Sequence, residues 1–577
     1  MLKDADLISV QEVRSKVEEA YAAWQKYRAF SQEQVDGIVE QMAAAARANA
    51  RRLAELAVEE TGYGNAKDKL AKNLLCCDVL PRAMRGLKTI GILREIPEKK
   101  IVEIGVPMGV VAAILPTTNP TSTAIYKTLI SLKAGNAIVI SPHPRAKVCS
   151  CETAAVLQQA ALQAGAPEGL IQCIANSTME GTHALMKHHR TGVILSTGGG
   201  GIVRAAYSSG KPAFGVGPGN VPVLIDKSAD LEEAVGKVVA GKSFDYGTVC
   251  SSEQTIVAEQ GLRDRITAAL KARQAFFCDA RQTETLAKLL LTPQFTVNPD
   301  CVGQSPTKIA QMASFEVPPD TSILVVEIKG VGKQHPLSAE KLSPVLSLYF
   351  VADFAAAVDA CEAILKFGGL GHTSVIHAND DARIREYGLR MPSFRVLVNT
   401  PSPQGSTGIT TNVFPAMTLG CGAVAGNITS DNVGPLNLIN IKRIAYVARK
   451  AEEAFEYGEA SSAPVSIDRQ TVASAVGRYL EKRGVPQTPP VISSVVDRFL
   501  AAKRGGPAAS LEPAPATAPT SEALPIADFV CEEDVRKAVA QSKKIYIGPR
   551  TIVTPSARDL ALRSDTLVPT GQRNPSK

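Results

Sequence analysis

Val110-Val111-Ala112-Ala113-Ile114-Leu115-Pro116-Thr117-Thr118-Asn119-Pro120 is the stretch on which the fold turns. Six apolar residues in succession suit a strand covered on both faces, as in a parallel sheet sandwiched by helices. The prolines at 116 and 120 end the strand and bracket Asn119 in a turn. Downstream the pattern repeats: a helix from Thr121 to Ala134, a strand at Ala137–Ile140, a helix from Lys147 to Ala164, and strands at Leu170–Ile174 and Val193–Ser196. This alternation predicts a doubly wound parallel sheet, with ligands bound beyond the carboxyl ends of its strands. Three strand exits follow: Pro116 to Pro120, Ser141-Pro142-His143-Pro144, and Thr197-Gly198-Gly199-Gly200-Gly201.

The glycine run before a helix at Ile202–Ser208 would let backbone amides approach a pyrophosphate. It is not GxGxxG, so a tight structural turn fits equally well.

Upstream, Val10, Val13, Val17, Ala20 and Trp24 recur at helical spacing, and two or three amphipathic helices are expected as far as Cys77. Glu95 to Val106 alternates around Pro97-Glu98-Lys99-Lys100, a projecting hairpin and a candidate oligomer contact. Beyond the first sheet, strands at Val221–Ile225, Ser322–Ile328, Val345–Val351, Thr373–His377 and Arg395–Asn399 alternate with helices. They predict a second α/β domain, and the cleft between the two is the natural site.

Into that second region falls Phe244-Asp245-Tyr246-Gly247-Thr248-Val249-Cys250-Ser251-Ser252-Glu253-Gln254. A thiol between turn residues and a strand suits a nucleophile whose backbone N–H also serves as a donor. Taken alone, Cys250 reads first as a buried apolar residue, as most free cysteines are.

A chain of 577 residues with 45% hydrophobic and 21% charged residues supports two or three globular units. The net charge of +7 is modest and scattered, so no nucleic-acid partner is expected. Eleven cysteines without paired CxxC spacing read as reduced thiols of a cytoplasmic chain. Seven histidines show no metal-ligand spacing, and no metal is expected. No apolar run approaches the ~20 residues that span a bilayer, and no membrane partner is expected.

Ordered motifs then connect these elements to a family. Leu115 to Ala124, Ser141 to Ala146, Gly215-Val216-Gly217-Pro218-Gly219-Asn220-Val221-Pro222, Phe244 to Gln254, Glu340-Lys341-Leu342-Ser343-Pro344, Gly371-His372-Thr373-Ser374 and Thr418-Leu419-Gly420-Cys421-Gly422 occur in sequence. Together, from roughly Val10 to Lys450, they resemble the aldehyde dehydrogenase superfamily, in its CoA-acylating (acetylating) branch of bacterial-microcompartment type.

The resemblance implies an α/β fold with a Rossmann-like cofactor domain at 1–220, an oligomerisation hairpin near 92–106, and a catalytic domain at 221–415. A return to the cofactor domain would follow at 416–450. It implies that Cys250 attacks a short-chain aldehyde, acetaldehyde or propionaldehyde, that the Asn119 amide and the Cys250 N–H hold the oxyanion, and that NAD takes the hydride. The thioester would then pass to coenzyme A.

Hydrolysing members carry a Glu general base where this sequence has Val216, which cannot activate water. The likeness further implies cofactor contacts from Pro116, Thr117, Ser141, His143, Pro144, Thr197, Gly198, Gly199, Val216, Gly217, Glu340 and Leu342, with Glu340 on the ribose. His372 would help deprotonate the CoA thiol. The Lys usual near Ser141 is missing, which leaves NAD against NADP open. Homodimers or homotetramers are implied.

After Lys450 the likeness fades. Val472, Val476, Tyr479 and Leu480 share one helix face, and Ile492, Val495, Val496, Phe499 and Leu500 another, within a helical tail at 451–504. A Pro/Ala-rich linker at 505–525 is expected to be disordered and to tether 526–577, which carries a short helix at Glu532–Lys537, a strand-like Lys544–Ile547 and Thr554-Pro555-Ser556-Ala557-Arg558-Asp559. The last segment resembles one found in microcompartment enzymes. An amphipathic tail helix on such a linker suits docking to shell proteins.

Overall fold

The structure is a computed structural model that describes residues 4–454 and, beyond them, 470, 473–474, 496, 526–541, 543–561, 564 and 566–569. Most of the expected tail helices and all of the 505–525 linker lie outside the described residues.

Helices Ala5–Tyr27, Gln32–Thr61 and Ala66–Leu74 open the chain. The second starts at a Ser31–Gln34 capping box and ends at Gly62, whose left-handed φ of 68° favours glycine. The first helix docks on the body through Trp24, whose Nε1 donates to the Gly135 carbonyl at 3.1 Å, and through the Tyr27 hydroxyl, which donates to Leu132 at 3.1 Å.

Strands Gly91–Ile96 (β1) and Ile101–Pro107 (β2) form the expected antiparallel hairpin across Pro97–Lys99. Next come Val110–Ile114 (β3), Ala137–Ser141 (β4), Ile171–Cys173 (β5), Thr191–Thr197 (β6) and Ala213–Val216 (β7). They form a parallel sheet in the order β5-β4-β3-β6-β7. All five β3 residues are buried, in keeping with an apolar run between two helical layers. The strand order reverses at β3 and β6, whose carboxyl exits hold Asn119 and the glycine run.

A second, seven-stranded parallel sheet is built from Val221–Ile225 (β8), Glu253–Glu259 (β9), Ala275–Phe277 (β10), Ile323–Glu327 (β11), Val345–Val351 (β12), Gly371–His377 (β13) and Ser393–Val398 (β14). Its order is β10-β11-β12-β9-β8-β13-β14. Ile439–Ala445 (β15) then returns to pair antiparallel with β2, while Ala416, Leu419, Val433 and Leu438 join the core of the first sheet. Among the described residues no helix is long and apolar enough to cross a membrane.

Two expectations need correction. Cys151 and Cys173 are not free thiols: they form a disulfide with Cα atoms 5.4 Å apart, and nine other cysteines are free. The first lies in the opening turns of helix Lys147–Gln163 and the second on β5 beside it, a proximity that only tertiary packing creates. Within 526–577, the residues after the linker are more than a short helix and a strand. Ile526–Val530 (β16), helix Glu532–Ala540, Ile545–Val553 (β17), helix Pro555–Ala561 and Leu567–Pro569 (β18) make a three-stranded parallel sheet around Val530, Val535, Ala557 and Ala561. The Thr554-Pro555 step caps its second helix, since the Thr554 Oγ1 accepts from the Ala557 N–H at 3.3 Å.

Candidate active site

The site lies where the carboxyl edge of the first sheet meets the amino edge of the second. Asn119 follows β3, while Cys250 precedes β9, Glu340 precedes β12 and His372 is the second residue of β13. Rules for a single doubly wound sheet anticipate only the first half of this arrangement.

Cys250 follows a turn held in an unusual conformation. Asp245, Tyr246 and Gly247 have φ of 47°, 52° and 74°, three consecutive residues in the left-handed region. Such backbone costs of order 1 kcal/mol for each non-glycine residue and persists only where neighbours over-determine it.

The clamp is the fully buried Asp245 carboxylate. It accepts from the Asn65 N–H at 2.8 Å, the Thr248 hydroxyl at 2.5 Å, Lys69 Nζ at 3.1 Å, and Lys72 Nζ. Its own N–H donates to Asp68 Oδ2 at 2.7 Å. Lys69 and Lys72 stand three residues apart on one face of helix Ala66–Leu74. Burial pushes the Asp245 carboxyl up, but the two ammoniums outweigh it and hold it below its ordinary value.

Lys72 also reaches Asn119. Its Nζ donates to Asn119 Oδ1 at 2.6 Å, and Asn119 Nδ2 donates to Thr118 Oγ1 at 3.0 Å. Burial draws the Lys72 ammonium down to about 8, against the pull of Asp245.

Cys250 itself is partly exposed and packs against the first-sheet core. Burial of its thiol, with Glu340 and Cys421 adding to it, pushes the group up to about 12. Arg395 and the residue's own N–H pull the other way.

His372 is buried, with its Nδ1 2.9 Å from the Thr373 hydroxyl and its Nε2 unpartnered. Burial and Arg395 pull it down to about 3, so the imidazole is neutral. Its ring lies beside Gly219, which in turn abuts the Cys250 carbonyl.

Two further carboxyls stand nearby. Glu340 Oε1 accepts from the Gly219 N–H at 3.1 Å, and Glu253 Oε1 from the Ser402 N–H at 2.6 Å. Burial raises each to about 8. Lys242, drawn down to about 7 by burial, faces both.

At the first-sheet exits, Pro116 and Thr117 are half-buried, and Val216 is buried on β7 opposite Thr197. Thr197 Oγ1 is buried without a partner, space is open around Gly199 and Gly217, and helix Gly200–Tyr207 has no side-chain cap. That combination fits a phosphate group at the helix start. Gly198 is tighter, since a Cβ there would meet Ile202 at 2.8 Å. A cleft of about 470 Å³ continues from Val203 and Tyr207 past Gly217 to Leu365 and Cys421, spanning both sheets.

Farther out, Ser141 is buried with its hydroxyl 2.9 Å from that of Thr182, while His143 and Pro144 are exposed on the rim. Leu342 takes a left-handed φ of 44° beside Glu340.

Lys69, Lys72 and Asp245 escaped the sequence reading. Two lysines at i and i+3 look like a solvated helix face, and only tertiary contact shows that they are buried.

An amide and a thiol on opposed sheet edges are an arrangement that could add sulfur to a carbonyl carbon. The aldehyde dehydrogenase family profile matches residues 2–279. An acetylating aldehyde dehydrogenase from Geobacillus thermoglucosidasius superposes with a TM-score of 0.77 at 48% identity, over 78% of this chain and 99% of that one. A Rhodopseudomonas palustris propionaldehyde dehydrogenase, solved with bound CoA and an acylated cysteine, gives 0.69 at 28% identity, over 75% and 97%.

The bifunctional aldehyde-alcohol dehydrogenase AdhE of Escherichia coli K12 is 42% identical over 473 residues, 80% of this chain and 52% of its own length. The chain thus spans about half the length of that relative. The chain belongs to the aldehyde dehydrogenase family, in its acetylating branch.

Proposed function

We propose that this chain oxidises acetaldehyde or propionaldehyde to the acyl-CoA, reversibly, with NAD as the hydride acceptor. The observation that carries the reading is Val216: its aliphatic side chain is buried, at the position where the resemblance implies a hydrolysing enzyme would have its base. Glu340 Oε1 is engaged by the Gly219 N–H and Glu253 Oε1 by the Ser402 N–H, and burial favours the neutral form of both, so neither is assigned the role of that base.

Cys250 loses its thiol proton to solvent and adds through sulfur to the aldehyde carbon, giving a thiohemiacetal. Asn119 Nδ2 and the Cys250 N–H donate to the oxygen as it gains charge, each such donor being worth ~3 kcal/mol. Bound NAD supplies the acceptor for the hydride, and Thr197, Gly199 and Gly217 would hold its pyrophosphate. The acyl thioester on Cys250 then meets the CoA thiol, and we assign acceptance of its proton to His372, a neutral imidazole whose Nε2 is buried without a partner. The same two donors serve the second oxyanion, and Cys250 leaves.

NADH formation from propionaldehyde with and without CoA tests this, using wild type and Cys250→Ala. Turnover needing both CoA and Cys250 is expected. CoA-independent turnover would favour hydrolysis to a free acid, and no turnover at all a catalytically inactive microcompartment scaffold.

The β1-β2-β15 sheet, which exposes Ile441 and Ile444, is our candidate contact for a homodimer or homotetramer. We also assign Ile492 to Leu500, in preference to Val472 to Leu480, to docking on microcompartment shell proteins; most of both segments lies outside the described residues. Deleting residues 484–577 should leave turnover intact and abolish co-purification with shells; retained co-purification overturns the assignment.

A further inference from the structure

We propose that Lys72 is a positioning residue that fixes which end of the Asn119 amide faces the reacting carbonyl. The inference rests on the acylating reading above and names a residue which that reading does not use.

An Asn side chain has an acceptor end and a donor end of nearly the same shape, and only its hydrogen-bond partners set the orientation. An oxyanion needs the donor end. Lys72 Nζ carries donors and no acceptor, so Asn119 can meet it at 2.6 Å only through Oδ1. The amide is thereby turned with Nδ2 outward, where one N–H goes to Thr118 Oγ1 and the other is left for substrate.

A flipped amide would set two groups of donors against each other and present a lone pair to a developing negative charge. An ammonium behind the carbonyl end also polarises the amide and sharpens its N–H donors.

The ammonium is itself held in place. Lys72 lies 3% exposed, bonded to Asp245 and 3.4 Å from the Thr248 hydroxyl. Asp245 and Thr248 belong to the turn that delivers Cys250, so one lysine ties the oxyanion donor to the nucleophile's loop. Its neighbour Lys69 bonds Asp245 and the Thr118 carbonyl at 3.0 Å and makes no bond to the Asn119 side chain. Asp245 would therefore stay paired in a chain lacking Lys72.

A double-mutant cycle on the full chain tests this, with Lys72→Met, Asn119→Ala and the pair compared by kcat/KM for propionaldehyde in the presence of NAD and CoA. Asn119→Ala should cost about 10²-fold or more. Lys72→Met should cost at least about 10-fold alone, yet less than about 2-fold once Asn119 is Ala, because residues acting as a unit do not add. Alkylation of Cys250 by iodoacetamide, which forms no oxyanion, should be the same in Lys72→Met as in wild type.

Equal fold-losses from Lys72→Met in both backgrounds, or a parallel loss of alkylation in a folded variant, would overturn the proposal and leave the acylating reading standing. Full activity in Asn119→Ala would remove the acylating oxyanion donor and both readings with it. Should Met at 72 prevent folding, Lys72→Ala with added ethylammonium replaces it. Recovery only when Asn119 is present is expected, and equal recovery or none in both backgrounds overturns the proposal.

Discussion

The carbonyl oxygen of Cys250 lies against Gly219 so closely that a Cβ on that glycine would sit 2.2 Å from it and 3.2 Å from the His372 ring. The main chain of Cys250, the end of the segment after Val216 and the His372 ring thus meet at one point. Gly219→Ala forces a backbone to move, and overpacking of this kind costs roughly 1–3 kcal/mol. The displaced carbonyl belongs to Cys250, so on the acylating reading kcat/KM should fall by at least about 10-fold, with a smaller effect on NAD affinity. Steady-state kinetics beside equilibrium NAD binding check this; a variant with wild-type kcat/KM would show that the contact has no catalytic consequence.

Asp245 faces two buried lysines and stabilises three successive left-handed residues. Asp245→Asn removes the only carboxylate bonded to Lys69 and Lys72 among the described residues. Breaking one side of a buried ion pair costs about 3–5 kcal/mol. Urea unfolding should show a loss of that size, and adding Lys72→Met to Asp245→Asn should recover part of it by removing one stranded cation. A loss no larger than that of a surface substitution would mean that the clamp contributes little.

Burial, with Glu340 and Cys421 adding to it, pushes the Cys250 thiol up to about 12, above its ordinary value. Thiolate is the reactive form, so its fraction grows with pH until the pKa is passed. Alkylation by iodoacetamide, followed by mass spectrometry on the Cys250 peptide, should accelerate about tenfold per pH unit from 7 to 10 without levelling. A plateau near the free-thiol value of about 8.5 would show an unperturbed thiol.

Much of this site was legible because its parts sit on strongly patterned elements. The run Val110–Leu115 predicted a covered strand, and β3 is buried at every position. Asn119 and the glycine run fell at strand exits, where the reversal of strand order places them. The helix after the glycine run begins at Gly200, two residues before the apolar pattern starts, because glycines carry no periodicity to read.

What stayed hidden was long-range. Nothing in Asp68-Lys69-Leu70-Ala71-Lys72 says that two lysines point inward to a carboxylate more than 170 residues away. The Cys151–Cys173 bond joins a helix to a neighbouring strand, and no spacing rule reports it. The amino-edge location of Cys250, Glu340 and His372 depends on how the second sheet abuts the first, which strand patterns alone do not encode.

Val216 gives the sharpest test of why water is kept from the acyl enzyme. It is 3% exposed on β7, opposite Thr197, and the open space at Gly217 lies beside it. Val216→Glu would install a carboxyl in the same kind of buried surroundings that raise Glu253 and Glu340 to about 8. It would act as a base only when ionised, so its effect should grow as the pH rises toward and past 8. General-base catalysis contributes about 10²–10⁴-fold, and an imperfectly placed carboxylate should still raise CoA-independent NADH formation at least about tenfold over wild type at pH 8.5. CoA-dependent acylation should fall in the same variant, since water now competes for the thioester. A folded Val216→Glu chain that still acylates CoA but gains no hydrolysis at any pH would show that the barrier to water is exclusion from the cleft, not the missing base.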